Sequence, residues 1–177
     1  MGDVALEVLL SFDGGRSFEA APVPCHPSNT VIPRVDIRDT GEPGWYVTFV
    51  YTDYSVRLTL ISPSGKRYYL GQQDERRYYF GMAGGFPTQS FVYPAVGLGS
   101  EMGTWRYEVW GRSNRTWGGE IEDTISGDLA YVSEDATPIP PPDGGGWGDI
   151  LVMTLMLGMM VVLTKVLRPE PEEEEIA

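Results

Sequence analysis

The chain has 177 residues, of which 42% are hydrophobic, and carries a formal net charge of −12 at pH 7. An acidic surface repels phosphate backbones, which excludes nucleic acid as a partner class. The single cysteine and single histidine, Cys25 and His26, cannot form an intrachain disulfide or a Cys/His zinc site. They lie between Pro24 and Pro27 in what reads as an extended loop. Adjacent side chains of an extended chain point apart, so we expect no catalytic couple there.

Short β-type runs separated by Gly and Pro turns fill residues 1–132. Their spacing of about ten residues predicts an all-β domain, an antiparallel β-sandwich or a jelly roll. Pro33 lacks a ladder donor, which predicts that residues 31–37 form an edge strand. Residues 44–51 and 54–61 are the strongest strand candidates. The remaining predicted strands cover residues 5–12, 17–23, 66–70, 90–96, 103–111 and 120–132.

Alternation within two of these strands predicts which face is buried. In residues 54–61, Val56, Leu58 and Leu60 are expected in the core, with Arg57 and Thr59 in solvent. In residues 103–111, one face is predicted to hold Trp105, Tyr107 and Val109, and the other Arg106, Glu108 and Trp110.

Two similar runs, 67–71 (RYYLG) and 77–81 (RYYFG), flank the polar residues 72–76. We interpret them as the arms of a hairpin with a hydrophilic tip. One tyrosine of each pair must point outward, and exposed Tyr and Trp beside Arg are typical of protein interfaces. The alternative is a sheet face that merely tolerates tyrosines. The predicted partner-binding residues are Arg67, Tyr68, Tyr69, Arg76, Arg77, Tyr78, Tyr79 and Trp110.

Two stretches resemble known families. Residues 11–18 (SFDGGRSF) resemble the Asp-box, S-x-D-x-G-x-[ST]-[WF], of sialidase-like propellers. The resemblance implies a structural hairpin and carries almost no information about glycans. Residues 58–65 (LTLISPSG) and 103–109 (GTWRYEV) resemble strands of the jelly-roll domains appended to secreted proteases. That resemblance implies a jelly roll and brings no catalytic group.

Acidic pairs offer the remaining candidates for chemistry. Asp36 with Asp39, and Glu120 and Glu122 with Asp123, have the composition of glycosidase carboxylates or calcium ligands, but they lack EF-hand spacing. We interpret them as solvated charge. The sequence therefore predicts no catalytic residues, no metal site and no cofactor.

A linker, a membrane helix and an acidic tail are predicted at residues 133–149, 150–168 and 169–177. Residues 150–167 (ILVMTLMLGMMVVLTKVL) hold one charge, Lys165, and are apolar on every face. As a helix they would reach about 27 Å, close to the ~30 Å hydrocarbon core of a bilayer. Trp147, Lys165 and Arg168 are the predicted interfacial anchors. The alternative is a buried helix of a soluble domain.

Small and flexible residues within this segment suggest helix packing. Thr154 and Gly158 form a small-xxx-small pair that permits close approach of a second helix. Met153, Met156 and Met160 fall on one face, which suits packing against protein, pigment or lipid. Plain exposure of this face to lipid is the alternative.

Membrane topology is the least determined feature. Lys165 and Arg168 after the helix favour a cytoplasmic C-terminus. Translocating the tail of 169–177 is nevertheless easier than exporting residues 1–149 without a signal peptide. We therefore expect a tail-anchored protein of a bacterial inner or intracytoplasmic membrane, with the β-domain in the cytoplasm.

These features together predict a non-catalytic, single-pass accessory subunit of a large membrane complex of respiratory or photosynthetic type. Its partners would be other subunits of that complex and the lipid bilayer. Two alternatives are a membrane protein of a virion and a membrane-tethered carbohydrate-binding or hydrolytic domain.

Overall fold

The computed structural model describes residues 4–41, 49–80, 86–116 and 119–139, all of which belong to one compact unit, Met1–Pro141. Within these residues the chain forms strands and no helix, so the all-β prediction is confirmed for them. The strands are β1 (Val4–Ser11), β2 (Glu19–Ala20), β3 (Val23–Cys25), β4 (Thr30–Asp39), β5 (Phe49–Ile61), β6 (Arg67–Phe80), β7 (Gln89–Val92), β8 (Val96–Gly97), β9 (Gly103–Arg115) and β10 (Gly119–Val132).

Two sheets contain all of these strands. The first sheet has the order β2–β1–β4–β7, and β8 also pairs with β4. The second sheet has the order β3–β10–β9–β5–β6. The described strand pairs are antiparallel except that β3 runs parallel to β10, so the second sheet is mixed rather than purely antiparallel as predicted.

The core lies between the two sheets. Residues with alternating positions in β5 and β9 face it, as the sequence predicted: Val56, Leu58, Leu60, Trp105 and Val109 are buried. The sheets approach each other closely at Gly111 of β9. A Cβ on this glycine would lie 2.5 Å from Leu6 Cδ2 and 3.2 Å from Ile37 Cδ1, two residues of the first sheet. Glycine at position 111 therefore permits the close packing of the two sheets.

Strand β4 is central rather than an edge, so the prediction for residues 31–37 was wrong. Its neighbours are β1 on one side and β7 and β8 on the other. The Pro33 carbonyl accepts a hydrogen bond from the Tyr93 amide at 2.8 Å. The nitrogen and carbonyl of a strand residue point to the same side, so the proline nitrogen faces the break between β7 and β8. No ladder donor is required at that break.

Strand β6 is one continuous strand, which contradicts the predicted hairpin over residues 67–81. The polar residues 72–76 pair in register with residues 53–57 of β5 rather than forming a tip. A β-bulge interrupts the pairing once, near Leu70, and Gly71 beside it has a φ of 114°. An edge strand needs to bury only part of one face, and the backbone of β5 pairs with residues 72–76. Polar residues in the middle of β6 are therefore compatible with the sheet.

Strand β5 extends from Phe49 to Ile61 without a break, although two separate strands were predicted. The predicted strand 17–23 is instead divided between β2 and β3, and 90–96 between β7 and β8. The predicted membrane helix at 150–168, with its packing residues and its anchors, lies outside the described residues. Among the residues that are described, no helix has the length and hydropathy to cross a bilayer.

Candidate interface on the outer face of the second sheet

The side of the second sheet that points away from the core is the best candidate for a functional surface. Residues directly opposite each other in neighbouring strands share a face, so the register assigns its members. We call this surface the outer face. Its residues from the four long strands are Arg67, Tyr69, Gln72, Asp74, Arg76 and Tyr78 of β6, Tyr51, Asp53, Ser55, Arg57, Thr59 and Ile61 of β5, Arg106, Glu108, Trp110, Arg112 and Asn114 of β9, and Glu120, Glu122, Thr124, Ser126 and Asp128 of β10.

The outer face contains five of the eight predicted partner-binding residues: Arg67, Tyr69, Arg76, Tyr78 and Trp110. Among the described residues, the most exposed large hydrophobic side chains are its two tyrosines, Tyr69 at 61% and Tyr78 at 68%. The expectation that one tyrosine of the first pair points outward is thus confirmed.

The other predicted residues do not join this surface. Tyr68 faces the opposite side of the sheet, where its ring lies 5.6 Å from that of Trp105. Arg77 also points to that side, donates a hydrogen bond to Gln89 and forms an ion pair with Glu75 at 2.9 Å. The side chain of Tyr79 lies outside the described part of the chain. The sequence analysis placed all eight residues on one surface because it interpreted residues 72–76 as a turn.

Trp110 occupies the centre of the outer face. The guanidinium carbon of Arg57 lies 3.9 Å from the centroid of its ring, and that of Arg112 lies 5.7 Å away. The indole nitrogen donates to Glu122 at 3.2 Å. Stacking of arginine on an exposed tryptophan contributes about 0.5–1 kcal/mol. The ring is therefore held in place and its face is covered by Arg57.

Two further pairs show how charge is distributed across the face. Arg76 donates to both carboxylate oxygens of Asp53, through Nε at 2.6 Å and Nη2 at 2.8 Å. This bond lowers the pKa of Asp53 and raises that of Arg76. Arg67 donates to Glu108 at 2.8 Å. The face thus alternates positive and negative groups rather than presenting one sign.

Sequence reasoning missed Asp53, which accepts from Arg76, and Arg57, which stacks on Trp110. Arg57 was recognised only as a solvent-facing position of its strand. The alternation of residues 53, 55 and 57 indicates that their side chains share one face of the strand. The sequence does not reveal that β9 lies beside β5. Only that pairing brings Arg57 opposite Trp110 and Ser55 opposite Arg112.

The loop that resembles an Asp-box has the expected structural role. It joins β1 to β2, which pair as a hairpin through Leu9 and Ala20. Asp13 accepts hydrogen bonds from the Ser11 and Ser17 hydroxyls at 2.7 and 2.6 Å and from the Arg16 and Ser17 amides, both at 2.9 Å. The Ser17 hydroxyl contributes most to a lowered pKa of Asp13. Because its own loop saturates this carboxylate, Asp13 is a structural residue.

The lowered pKa of Asp13 predicts an acid-sensitive contribution to stability. Such a group stabilises the fold above its unfolded pKa, about 3.9, and this contribution is lost as the pH falls through the lower folded value. We expect Asp13→Asn to lower the unfolding temperature at neutral pH and to flatten its decline below about pH 4. Thermal unfolding of the full chain in detergent, followed by circular dichroism, measures both effects. Glu134→Gln, at an exposed acid, is the control; equal acid limbs for Asp13→Asn and wild type would contradict the prediction.

Cys25 and the pair of Asp36 and Asp39 are structural as well. Cys25 ends β3 and is buried in the core, which raises the pKa of its thiol, so the prediction of a loop thiol was wrong. The His26 Nδ1 lies 2.7 Å from the Ser28 hydroxyl. Asp36 pairs with Arg34 at 2.9 Å. Asp39 is buried, so its interpretation as solvated charge was wrong. Within the described ranges, no three His, Cys, Asp or Glu side chains are grouped as metal ligands would be.

Comparison with known proteins does not assign the chain to a family. No family model matches it, and no curated protein matches it. Its function must therefore be inferred from its own side chains.

Proposed function

We propose that this protein is a non-catalytic, membrane-anchored structural subunit whose β-domain binds neighbouring proteins through the outer face. The observation that carries the proposal is the gathering of exposed Tyr69 and Tyr78 with Trp110 and several arginines on one face. Tyr, Trp and Arg are the residues that contribute most to binding at protein interfaces. Exposed ion pairs contribute only about 0–1 kcal/mol each, so a partner can replace them at little cost.

For the β-domain itself, the strand order supports an immunoglobulin-type sandwich over the jelly roll. Strands β1, β4 and β7 correspond to A, B and E of that fold. Strands β6, β5, β9 and β10 correspond to C′, C, F and G, in the same spatial order. A fold of this type does not itself specify a function, so the proposal rests on the side chains of the outer face.

The membrane anchor in this proposal is the apolar segment 150–168, with Trp147, Lys165 and Arg168 at its ends. Its packing residues would contact other helices of the host assembly, for which a respiratory or photosynthetic complex remains our proposal. The β-domain is proposed to face the cytoplasm. Protease added to right-side-out spheroplasts should then spare it, and digestion would reverse this assignment.

Two observations disfavour the carbohydrate-binding alternative. A sugar could stack on the Trp110 ring only by displacing Arg57, whereas a protein partner can contact the stacked Arg57 and Trp110 side chains as they lie. Asp13, the acidic residue of the Asp-box-like loop, uses its oxygens within the loop.

The test is retention of the full chain in its host assembly. We expect Arg57→Glu and Trp110→Ala each to release the subunit from a detergent-solubilised membrane complex, as seen by native electrophoresis. Truncating a central tryptophan at an interface costs about 2 kcal/mol or more, which corresponds to roughly thirtyfold weaker binding. Arg38→Glu, on the exposed side of the first sheet, is the matched control and should be retained.

The same experiment separates the alternatives. Retention of both outer-face variants, with the fold intact by circular dichroism, would overturn the proposed interface. Recovery of the wild-type chain in stoichiometric amount from purified virions, and from no cellular complex, would instead favour the virion protein.

A further inference from the structure

The long outer edge of β6 has no strand beside it among the described residues. β6 has 14 residues and ends the second sheet, with β5 on its other side. Unpaired N–H and C=O groups along such an edge are a template for another strand. Side chains on its inner side reach β7 instead: Gln73 donates to the Val92 carbonyl at 2.9 Å, and Arg77 donates to Gln89. No strand of the described ranges pairs with the backbone of this edge.

The charge pattern in the middle of β6 is complementary to itself. If a second copy pairs antiparallel with the axis at Glu75, Asp74 of each copy lies opposite Arg76 of the other. Both residues belong to the outer face, so the two sheets would continue with matching faces. Arg76 already binds Asp53 and interacts with Tyr78, and Asp74 accepts from Gln72. The pair between copies would add to these bonds, because a guanidinium has five N–H donors and a carboxylate about four acceptor positions.

Two other features of the edge agree with this register. Gln73 would lie opposite Arg77, and Gln72 opposite the exposed Tyr78, whose ring would gain a neighbour. The two Glu75 carboxylates would meet at the axis, but each already interacts with Arg77 at 2.9 Å and with the Gln89 amide at 2.7 Å. Their mutual repulsion is therefore reduced.

The opposite side of the second sheet does not offer the same complementarity. Beyond its short pairing with β3 at residues 130–132, β10 has no described neighbour on its outer edge. This strand carries four acids and no base, so two copies of it would repel each other. Its acids are Glu120, Glu122, Asp123 and Asp128.

We propose that two copies of this chain associate through β6, paired antiparallel about a twofold axis at Glu75, so that two five-stranded sheets become one continuous sheet. The partner in this proposal is a second copy of this chain, whereas the proposed function concerns other proteins of a host assembly. The interface uses the strand edge rather than Arg57 and Trp110, so either proposal can fail while the other stands.

Charge exchange between copies tests the register. Asp74→Arg alone sets arginine against arginine, and Arg76→Asp alone sets aspartate against aspartate, so each variant should dissociate about tenfold more readily than wild type. An equimolar mixture restores both opposite-charge pairs and should form a heterodimer. Analytical ultracentrifugation of differently tagged full-length chains in detergent measures the fraction of dimer in wild type, in each variant and in the mixture. A monomeric wild type, or single variants that dimerise like wild type, would overturn the proposal.

A cross-link provides an independent test if either charge variant folds poorly. Glu75→Cys places two thiols at the axis, where opposed Cα atoms lie about 4.5–5.5 Å apart, within the range a disulfide spans. We expect oxidation to give a covalent dimer for Glu75→Cys and none for Thr124→Cys, the matched variant on β10. The native Cys25 is buried and serves as the unreactive background. Open-ended oligomers that Glu122→Lys abolishes would show β6 pairing with β10 instead, and would also overturn the twofold dimer.

Discussion

Asp39→Ala is expected to lower the free energy of unfolding by about 3–5 kcal/mol, because it leaves the guanidinium of Arg115 without its buried counterion. The Asp39 side chain is 0% exposed and that of Arg115 14%. Asp39 accepts hydrogen bonds from Arg115, from the Ser113 hydroxyl at 2.8 Å and from the Gly41 amide at 2.9 Å. Asp39 belongs to β4 and Arg115 to β9, so the pair joins the two sheets. Urea unfolding of the full chain in detergent measures the loss.

A matched control and a double variant make this expectation specific. Glu108→Ala removes the partner of Arg67 in an exposed pair and should cost no more than about 1 kcal/mol. Asp39→Leu combined with Arg115→Met should cost less than the sum of the single changes, because no unpaired charge remains buried. Additive losses, or an Asp39→Ala loss no larger than that of Glu108→Ala, would show that the pair does not couple the sheets.

Trp105→Ala is expected to cost about 3–5 kcal/mol, because it empties the largest buried side chain of the described core. The indole packs beside Tyr68 and donates to the Glu101 carbonyl at 3.1 Å. Trp105→Phe keeps much of the packing and should lose considerably less. Denaturant unfolding of the same full-length protein gives both values.

Trp110 of the same strand supplies the comparison, because it lies on the outer face and is only half-buried. Trp110→Ala should therefore destabilise the fold much less than Trp105→Ala, while it weakens partner binding more. The reverse order of the two unfolding free energies would mean that the assignment of buried and exposed faces in β9 is wrong.

The sequence predicted faces well wherever a strand alternates. Val56 and Leu58 of β5, and Trp105 and Val109 of β9, lie in the core as their spacing required. This success has a local cause: side chains two residues apart share a face whatever the rest of the chain does. The all-β class and the hairpin at the Asp-box-like loop followed from equally local signals.

Features that depend on distant pairing were not predictable. The similar runs at 67–71 and 77–81 suggested a hairpin, although Asp74 is the one residue of 72–76 that tight turns favour. Pro33 suggested an edge strand because it lacks a backbone donor. The prediction failed because the break between β7 and β8 that accommodates Pro33 is formed by residues some sixty positions away. Asp39 and Arg115 are 76 positions apart, and nothing in either neighbourhood marks them as partners.

The burial of Cys25 has a practical consequence for experiments on this protein. Its thiol ends β3, the short strand that pairs with the last residues of β10. A thiol reagent can reach it only when this edge of the sheet opens locally. The rate of thiol labelling therefore reports how often the edge opens, as the rate of hydrogen exchange does for a buried amide. The chain thus carries a built-in reporter of local unfolding at the point where the β-domain leads into residues 133–139.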